Sequence, residues 1–276
     1  MLIDTHAHLN FAAFKDDADK IIDQCLKNDM WIINVGSQYS TSKRAIEIAE
    51  KHPEGVYATI GLHPIHAIPH QIDINEVNPS FKSKPEKFNA NEYHKLAKSK
   101  KVIAIGEVGL DYSYAKNDKD RKIQKKVFIE QLNLAKELNL PIIIHCRDAW
   151  ADLIEILRNF QAQHLVAGSW QLAGVAHFFS GSIEDAKELI SMGFLVSFTG
   201  VITFTKAYDA TIEEIPMEKL MIETDCPYVS PVPFRGKRNI PLYVKYVAKR
   251  ISEIKEVSEN KVADTTTQNA KNLFKI

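Results

Sequence analysis

Apolar positions along the chain fall into two alternating patterns. Short β-rich runs begin near Leu2 (LIDTH), Trp31 (WIINVGS), Val56 (VYATIGLH), Val102 (VIAIGE), Pro141 (PIIIHC), Gly174 (GVAHFFSG), Phe194 (FLVSFTG) and Leu220 (LMIETD). Longer amphipathic stretches lie between them, among them Lys15 to Asn28, Arg44 to Lys51, Lys119 to Asn139 and Ile183 to Ser191, and helical sequence follows the last run to Phe274. Eight β-runs, each followed by helical sequence, predict an α/β fold of the (β/α)8 TIM-barrel type, for which ~250 residues is usual. The main competitor, an open doubly wound sheet, carries a Gly-rich phosphate turn after its first strand; LIDTH is followed by none. One stretch breaks the spacing. From His63 to about Asn91 the sequence is polar and holds Pro64, Pro69, Pro79 and Pro85, which predicts a long loop after strand three. No linker-like composition interrupts the pattern, so residues 1–276 are expected to form one domain.

Composition narrows the class. Of 276 residues, 45% are hydrophobic and 25% charged, which excludes disordered and low-complexity architectures. Thirty-five basic side chains balance 35 acidic ones. Binding of a polyanion must therefore come from a local patch or from bound cations. Cys25, Cys146 and Cys226 are odd in number and widely spaced, which argues against a disulfide framework and for a reducing compartment. No apolar run approaches the roughly 18 residues of a membrane span, and the N-terminus lacks a basic n-region. No membrane association and a cytoplasmic location are the expectations.

The candidate chemistry is positional. Five β-runs end in potential metal ligands: His6 and His8, then Glu107, His145, His177 and Asp225. On a barrel the C-terminal strand ends open onto one face, where residues from several strands converge. Each residue has an ordinary alternative, such as a satisfied core histidine or a strand-end carboxylate paired with a cation. Together, four imidazoles and two carboxylates are costly to bury without something that neutralises and coordinates them. Imidazole suits zinc and other borderline ions, while carboxylates suit harder ions and can bridge two. Six ligands exceed what one open catalytic ion takes and suit two divalent ions about 3.5 to 4 Å apart. The natural division gives His6, His8 and Asp225 to one ion and His145 and His177 to the other, with Glu107 bridging. Asp225 is then placed to take a proton from water and pass it to a leaving group.

DTHAHLN, GLHP, IGEVGLDY, PIIIHCRDA, HFFSG, IETDCPY and PFRGKRN occur in that order between Asp4 and Asn239. In these segments the chain resembles the TatD family of metal-dependent deoxyribonucleases, within the amidohydrolase-like TIM barrels. The resemblance implies phosphodiester hydrolysis of DNA, typically as a 3′-to-5′ exonuclease, with magnesium, zinc or manganese. It places the metal ligands on the same six residues. Glu107 at the fourth strand, where related amidohydrolases often have a carboxylated lysine, favours a TatD-like member. Two departures stand out: Ile240 follows RGKRN where the family usually has Glu, and the stretch from Ile68 to Asn91 is long.

Further residues are candidates for substrate contact. His63 ends the third run and can reach a scissile phosphate, or simply order the proline-rich loop. Arg147 follows His145 by two and can grip a phosphate bidentately; its alternative is a helix-start ion pair. Arg235, Lys237 and Arg238 form a basic cluster able to cradle a DNA backbone, or a solvated loop. Tyr112 and Phe204 can stack on bases or pack in the core. The zero net charge favours single-stranded DNA or a 3′ end as substrate over a duplex clamp. Metal-bound hydroxide also attacks carbonyl carbon, so hydrolysis of small esters, amides or phosphoesters is the competing expectation. Cys146 and Cys226 each follow a candidate ligand by one residue and are expected to face away from the site.

Overall fold

The computed structural model describes residues 1–77, 84–164 and 171–276. Eight parallel strands run in sequence order: β1 Leu2–Ala7, β2 Met30–Asn34, β3 Val56–Ile60, β4 Val102–Asp111, β5 Ile142–Arg147, β6 Gly174–Ala176, β7 Leu195–Phe198 and β8 Leu220–Ile222. Thr5 Oγ1 donates to the Ile222 carbonyl at 3.0 Å, and the His8 N–H donates to the Cys226 carbonyl at 2.9 Å, which brings β8 back to β1. The chain is thus a TIM barrel, with strands beginning within a residue of the predicted positions. Around it lie α1 Ala18–Lys27, α2 Tyr39–Ala49, α3 Ala90–Leu96, α4 Asp118–Leu138, α5 Trp150–His164, α6 Ile183–Ser191, α7 Asp209–Glu214, α8 Val244–Lys255 and α9 Glu259–Phe274. No helix among the described residues is long and apolar enough to cross a membrane.

Helix starts depart from the amphipathic reading where capping decides them. α2 begins five residues before Arg44, because Gln38 and Thr41 form a reciprocal cap. α1 begins at Ala18, three residues after Lys15, since Ala12–Phe14 make a 3-10 turn first. The segment after β3 opens with a 3-10 turn, Pro64–Ala67, and ends at α3; its predicted residues 78–83, Pro79 included, lie outside the described residues.

Two apolar layers hold the barrel. Helix faces pack on the outer sides of the strands through residues such as Ile22, Leu132, Leu153 and Val247. A separate cluster of Ile3, Ile33, Ile103, Ile143, Val175, Leu195 and Met221 draws on seven strands and is closed by Ala270 and Phe274 of α9. Asn269 of α9 donates to the Leu220 carbonyl at 2.8 Å, and Thr267 to the Met1 carbonyl at 3.3 Å, so α9 caps the end where strands begin. The opposite end is left for polar chemistry.

Candidate metal centre

The six predicted ligands leave the barrel at its C-terminal end, and local irregularities aim them. Pairing of β1 with β2 shifts register between Asp4 and Ala7, around His6. Pairing of β4 with β5 shifts between Ile105 and Val108, around Glu107. Such breaks turn side chains that strict alternation would send elsewhere. β4 does not end at Glu107, as the sequence suggested, but continues to Asp111. The Glu107 N–H donates to the Gly36 carbonyl at 2.8 Å, and Thr59 Oγ1 to the Gly106 carbonyl at 2.7 Å. Gly61 permits this approach: a Cβ there would lie 2.7 Å from the Gly106 carbonyl carbon. Asp225 is fixed by its N–H, which donates to the His6 carbonyl at 2.9 Å, and by a φ of 55°, a region Asp tolerates.

Glu107 stands at the centre, and its two oxygens face different groups. Oε2 lies 3.5 Å from His6 Nε2 and 3.8 Å from His8 Nε2. Asp225 Oδ1 is 3.8 and 3.5 Å from the same two nitrogens, which are 3.1 Å apart. Oε1 lies 2.7 Å from His177 Nε2, 2.9 Å from His145 Nδ1 and 3.3 Å from His63 Nε2. All six candidate ligands therefore converge around Glu107, with His6 and His8 nearest one of its oxygens and His145 and His177 nearest the other, while the His177 ring also stacks on His6 at 3.8 Å.

Behind several imidazoles stands an acceptor. His8 Nδ1 donates to the Val35 carbonyl at 2.9 Å. Asp111 Oδ2 is 3.1 Å from His145 Nε2, and Glu223 Oε1 is 3.5 Å from His177 Nδ1. Glu223 is itself held by the Phe178 N–H at 2.7 Å and by the Ser197 hydroxyl. The Val35 carbonyl and Asp111 hold a hydrogen on the outward nitrogen of His8 and His145, so each neutral ring presents a lone pair inward. Inward lone pairs and two carboxylates facing each other demand positive charge between them. Divalent cations fit that donor set, and the side chains whose ligand atoms lie close enough to hold one are His6, His8 and Glu107, or His6, His177 and Asp225, or His63, Glu107 and His145.

Without such charge the protons redistribute. Burial, reinforced by His177, pushes His6 down to about 3. Burial also opposes charging of His177, yet Glu107 and Glu223 hold it well above the ordinary imidazole range. Burial alone would raise Glu107, but His177, His63 and His145 keep it well below the usual carboxylate range. Burial lowers His63 to about 4 despite Glu107. His63 Nδ1 accepts from the Ile65 N–H at 3.2 Å, so the hydrogen of this neutral ring sits on Nε2, pointing into the site.

A cavity of about 540 Å³ opens above these groups. His63 and Arg147 line it, and Arg147 is exposed. Arg238 lies elsewhere, paired with Asp17 over the Phe14 ring. Arg235 lies over Phe204, outside the cavity wall. Tyr112 is buried against Asp152 and Arg121, while Phe204 is exposed. All three cysteines are free and buried. Cys146 nonetheless borders the cavity, against the expectation that it faces away.

Sequence reasoning missed the backing carboxylates Asp111 and Glu223. Their signal was present: Asp111 follows Glu107 by four on one strand, and Glu223 precedes Asp225 by two. It also missed a latch on the loop after β3. Buried Glu76 is held by His66 at 2.8 Å, by Gln38 at 3.0 Å and by the Ser37 hydroxyl, and Asp73 accepts from Tyr228 at 2.6 Å across the cavity rim. No spacing signal announces these contacts.

Comparison with known proteins gives consistent matches. The family model for TatD-related DNases matches residues 3–275. The metal-dependent hydrolase YabD of Bacillus subtilis is 43% identical over the whole of both chains. The metal-dependent hydrolase YcfH of Escherichia coli is 31% identical, covering 100% of this chain and 96% of its own. Among solved structures, the TatD homologue YjjV of E. coli superposes with a TM-score of 0.81 at 26% identity, covering 100% of this chain and 98% of its own.

Proposed function

The chain belongs to the TatD-related family of metal-dependent hydrolases, and from that premise we propose that it cleaves phosphodiester bonds of DNA, as a 3′-to-5′ exonuclease on single strands or 3′ ends. The observation that carries this reading is the divided Glu107 carboxylate, with His6, His8 and Asp225 beyond one oxygen and His145 and His177 beyond the other. Two divalent cations, magnesium, zinc or manganese, would supply Lewis acidity toward a phosphoryl oxygen and make water acidic near neutral pH.

The chain's own residues supply the rest. Glu107 holds the two ligand sets in register. Asp225 Oδ1, beside His6 and His8, accepts the proton of the attacking water and returns it to the departing 3′ oxygen. His63 donates its Nε2 hydrogen to a phosphoryl oxygen. Arg147, with no carboxylate partner among the described residues, clamps a phosphate at the rim. The carboxylates lining the cavity are Asp73, Glu76, Glu107, Asp111 and Asp225, so a phosphate enters only when cations offset that charge. Its volume falls in the ~300–1,000 Å³ range of small-ligand pockets, which suits a terminal nucleotide better than a duplex. Three buried thiols accord with a reducing, cytoplasmic setting.

The test uses a 5′-labelled single strand. The metal-loaded protein should give a ladder shortening from the 3′ end, abolished by chelation and restored by added cation. Digestion that persists after chelation would overturn the reading. Turnover of small esters with none on DNA would transfer the site to the competing class of substrates.

A further inference from the structure

Between Asp225 and Glu253 the chain carries no carboxylate but has Arg235, Lys237, Arg238, Lys245, Lys249 and Arg250. Arg238 is neutralised by Asp17, and Arg250 by Asp209 and Glu253. The other four have no carboxylate partner among the described residues. Three of them lie over aromatic rings. The Arg235 guanidinium is 3.8 Å from the centroid of Phe204, which is 42% exposed. Lys237 and Lys245 lie 5.9 and 5.3 Å from Phe234 and Tyr246. Phe234 stacks on Tyr243 at 4.0 Å with ring planes 5° apart, and Tyr246 meets Phe234 at a steep angle.

This cluster is built and continuous with the site. The Val232 N–H donates to Thr203 Oγ1 at 2.9 Å, which ties the loop after β8 to the loop after β7, and Arg235 donates to the Ser230 carbonyl at 2.8 Å within the loop after β8. Val201 and Tyr208 of the first loop, and Tyr228 and Val229 of the second, line the cavity. Phe204 falls between the first two in sequence, and Phe234 and Arg235 follow the second pair. The aromatic and cationic surface therefore starts where the cavity wall ends.

The exposed Phe204 ring and the half-buried Phe234 ring, interleaved with cations that have no carboxylate partner among the described residues, match the two needs of a single-stranded polynucleotide, stacking for bases and charge for phosphates. Resting on the nuclease reading, we infer that this surface is a docking platform for the uncleaved part of a single strand. Bases stack on Phe204 and Phe234, and phosphates meet Arg235, Lys237 and Lys245, while the 3′ end lies in the cavity. The local cation excess supplies the attraction that the zero net charge of the chain withholds.

The test is fluorescence anisotropy of the metal-loaded protein with oligo(dT) made uncleavable by a phosphorothioate 3′ linkage. Wild-type protein should bind a dodecamer more tightly than a trimer. The double substitution Phe204→Ala, Arg235→Gln should weaken the dodecamer about tenfold, reduce its salt dependence and leave the trimer nearly unchanged. The pair Phe204→Trp, Arg235→Lys should keep most of the length dependence, which a merely structural role would not predict. Unchanged dodecamer affinity in the first variant, or equal weakening of both lengths, overturns the platform while leaving the nuclease reading intact. A wild-type protein that hydrolyses bis(p-nitrophenyl) phosphate but binds neither oligonucleotide overturns both. Binding to phosphatidylserine vesicles in place of the dodecamer would also overturn the platform.

Discussion

Where the strands begin, Ile3, Ile33, Ile103, Ile143 and Met221 meet one another and the α9 residues Ala270 and Phe274; where they finish, β1, β4, β5, β6 and β8 bring four imidazoles and two carboxylates together, all of them but the fully buried His6 lining one cavity. The first end is apolar and sealed by a helix, with one register shift where β3 meets β4 at Ile103. The second is polar, and its pairing is broken around His6 and Glu107. Burying apolar side chains is favourable by about 1.5–3 kcal/mol each, whereas burying facing carboxylates and lone pairs is costly until positive charge arrives. The comparison teaches that fold and function occupy opposite ends of one interior, so a change at either end should leave the other's property largely intact.

The largest expected effect is at the polar end. Glu107→Ala removes the group shared by both ligand sets and should lower kcat/KM by at least ~10³-fold, as loss of a central charge-stabilising group does. Thermal melting of the metal-free protein should fall only modestly, because His177 keeps Glu223 beside it when Glu107 is gone. A melting temperature that collapses with activity would erase the division of labour between the ends.

Phe274→Ala tests the converse. It should cost about 3–5 kcal/mol in denaturant unfolding, while activity per folded molecule stays at the wild-type level. Glu223→Gln sharpens the picture within the polar end. Glu223 backs His177 without lining the cavity, so its loss should weaken metal affinity or activity about 10–100-fold, less than removal of Glu107.

The smallest effect is a pH dependence at the rim. Burial would raise Glu76, but His66, Ser37 and Gln38 hold it down to about 2, below its ordinary 4.5. A carboxyl lowered by folding contributes stability that is fully present above the ordinary value and is lost as pH falls through the folded one. The loop after β3 should therefore stay protected from hydrogen exchange above about pH 4.5 and open progressively toward pH 2, before the apolar end unfolds. Release of both regions together would count against the comparison.

Much of this was legible in the sequence because periodicity reports burial. The runs at Leu2, Val56, Val102, Gly174 and Leu220 start where the strands start, and strand-end residues of a barrel must share a face, which brought His6, His8, Glu107, His145, His177 and Asp225 to one place. What the sequence hid depends on contacts distant along the chain. The ion pair that takes Arg238 away from the cavity needs Asp17, and the Glu76 latch needs Ser37 and His66. The continuation of β4 to Asp111 depends on pairing with β5 past a register shift, which no local propensity encodes. The platform around Phe204 was split in sequence between two loops and became one surface only on folding.

The central claim is that Glu107 stands between two cations. Anomalous diffraction from crystals of the protein soaked in manganese tests it directly. The account predicts two peaks about 3.5 to 4 Å apart, one beside His6, His8 and Asp225 and the other beside His145 and His177, with a Glu107 oxygen toward each. A single peak, or none within reach of Glu107 at saturating manganese, would contradict it.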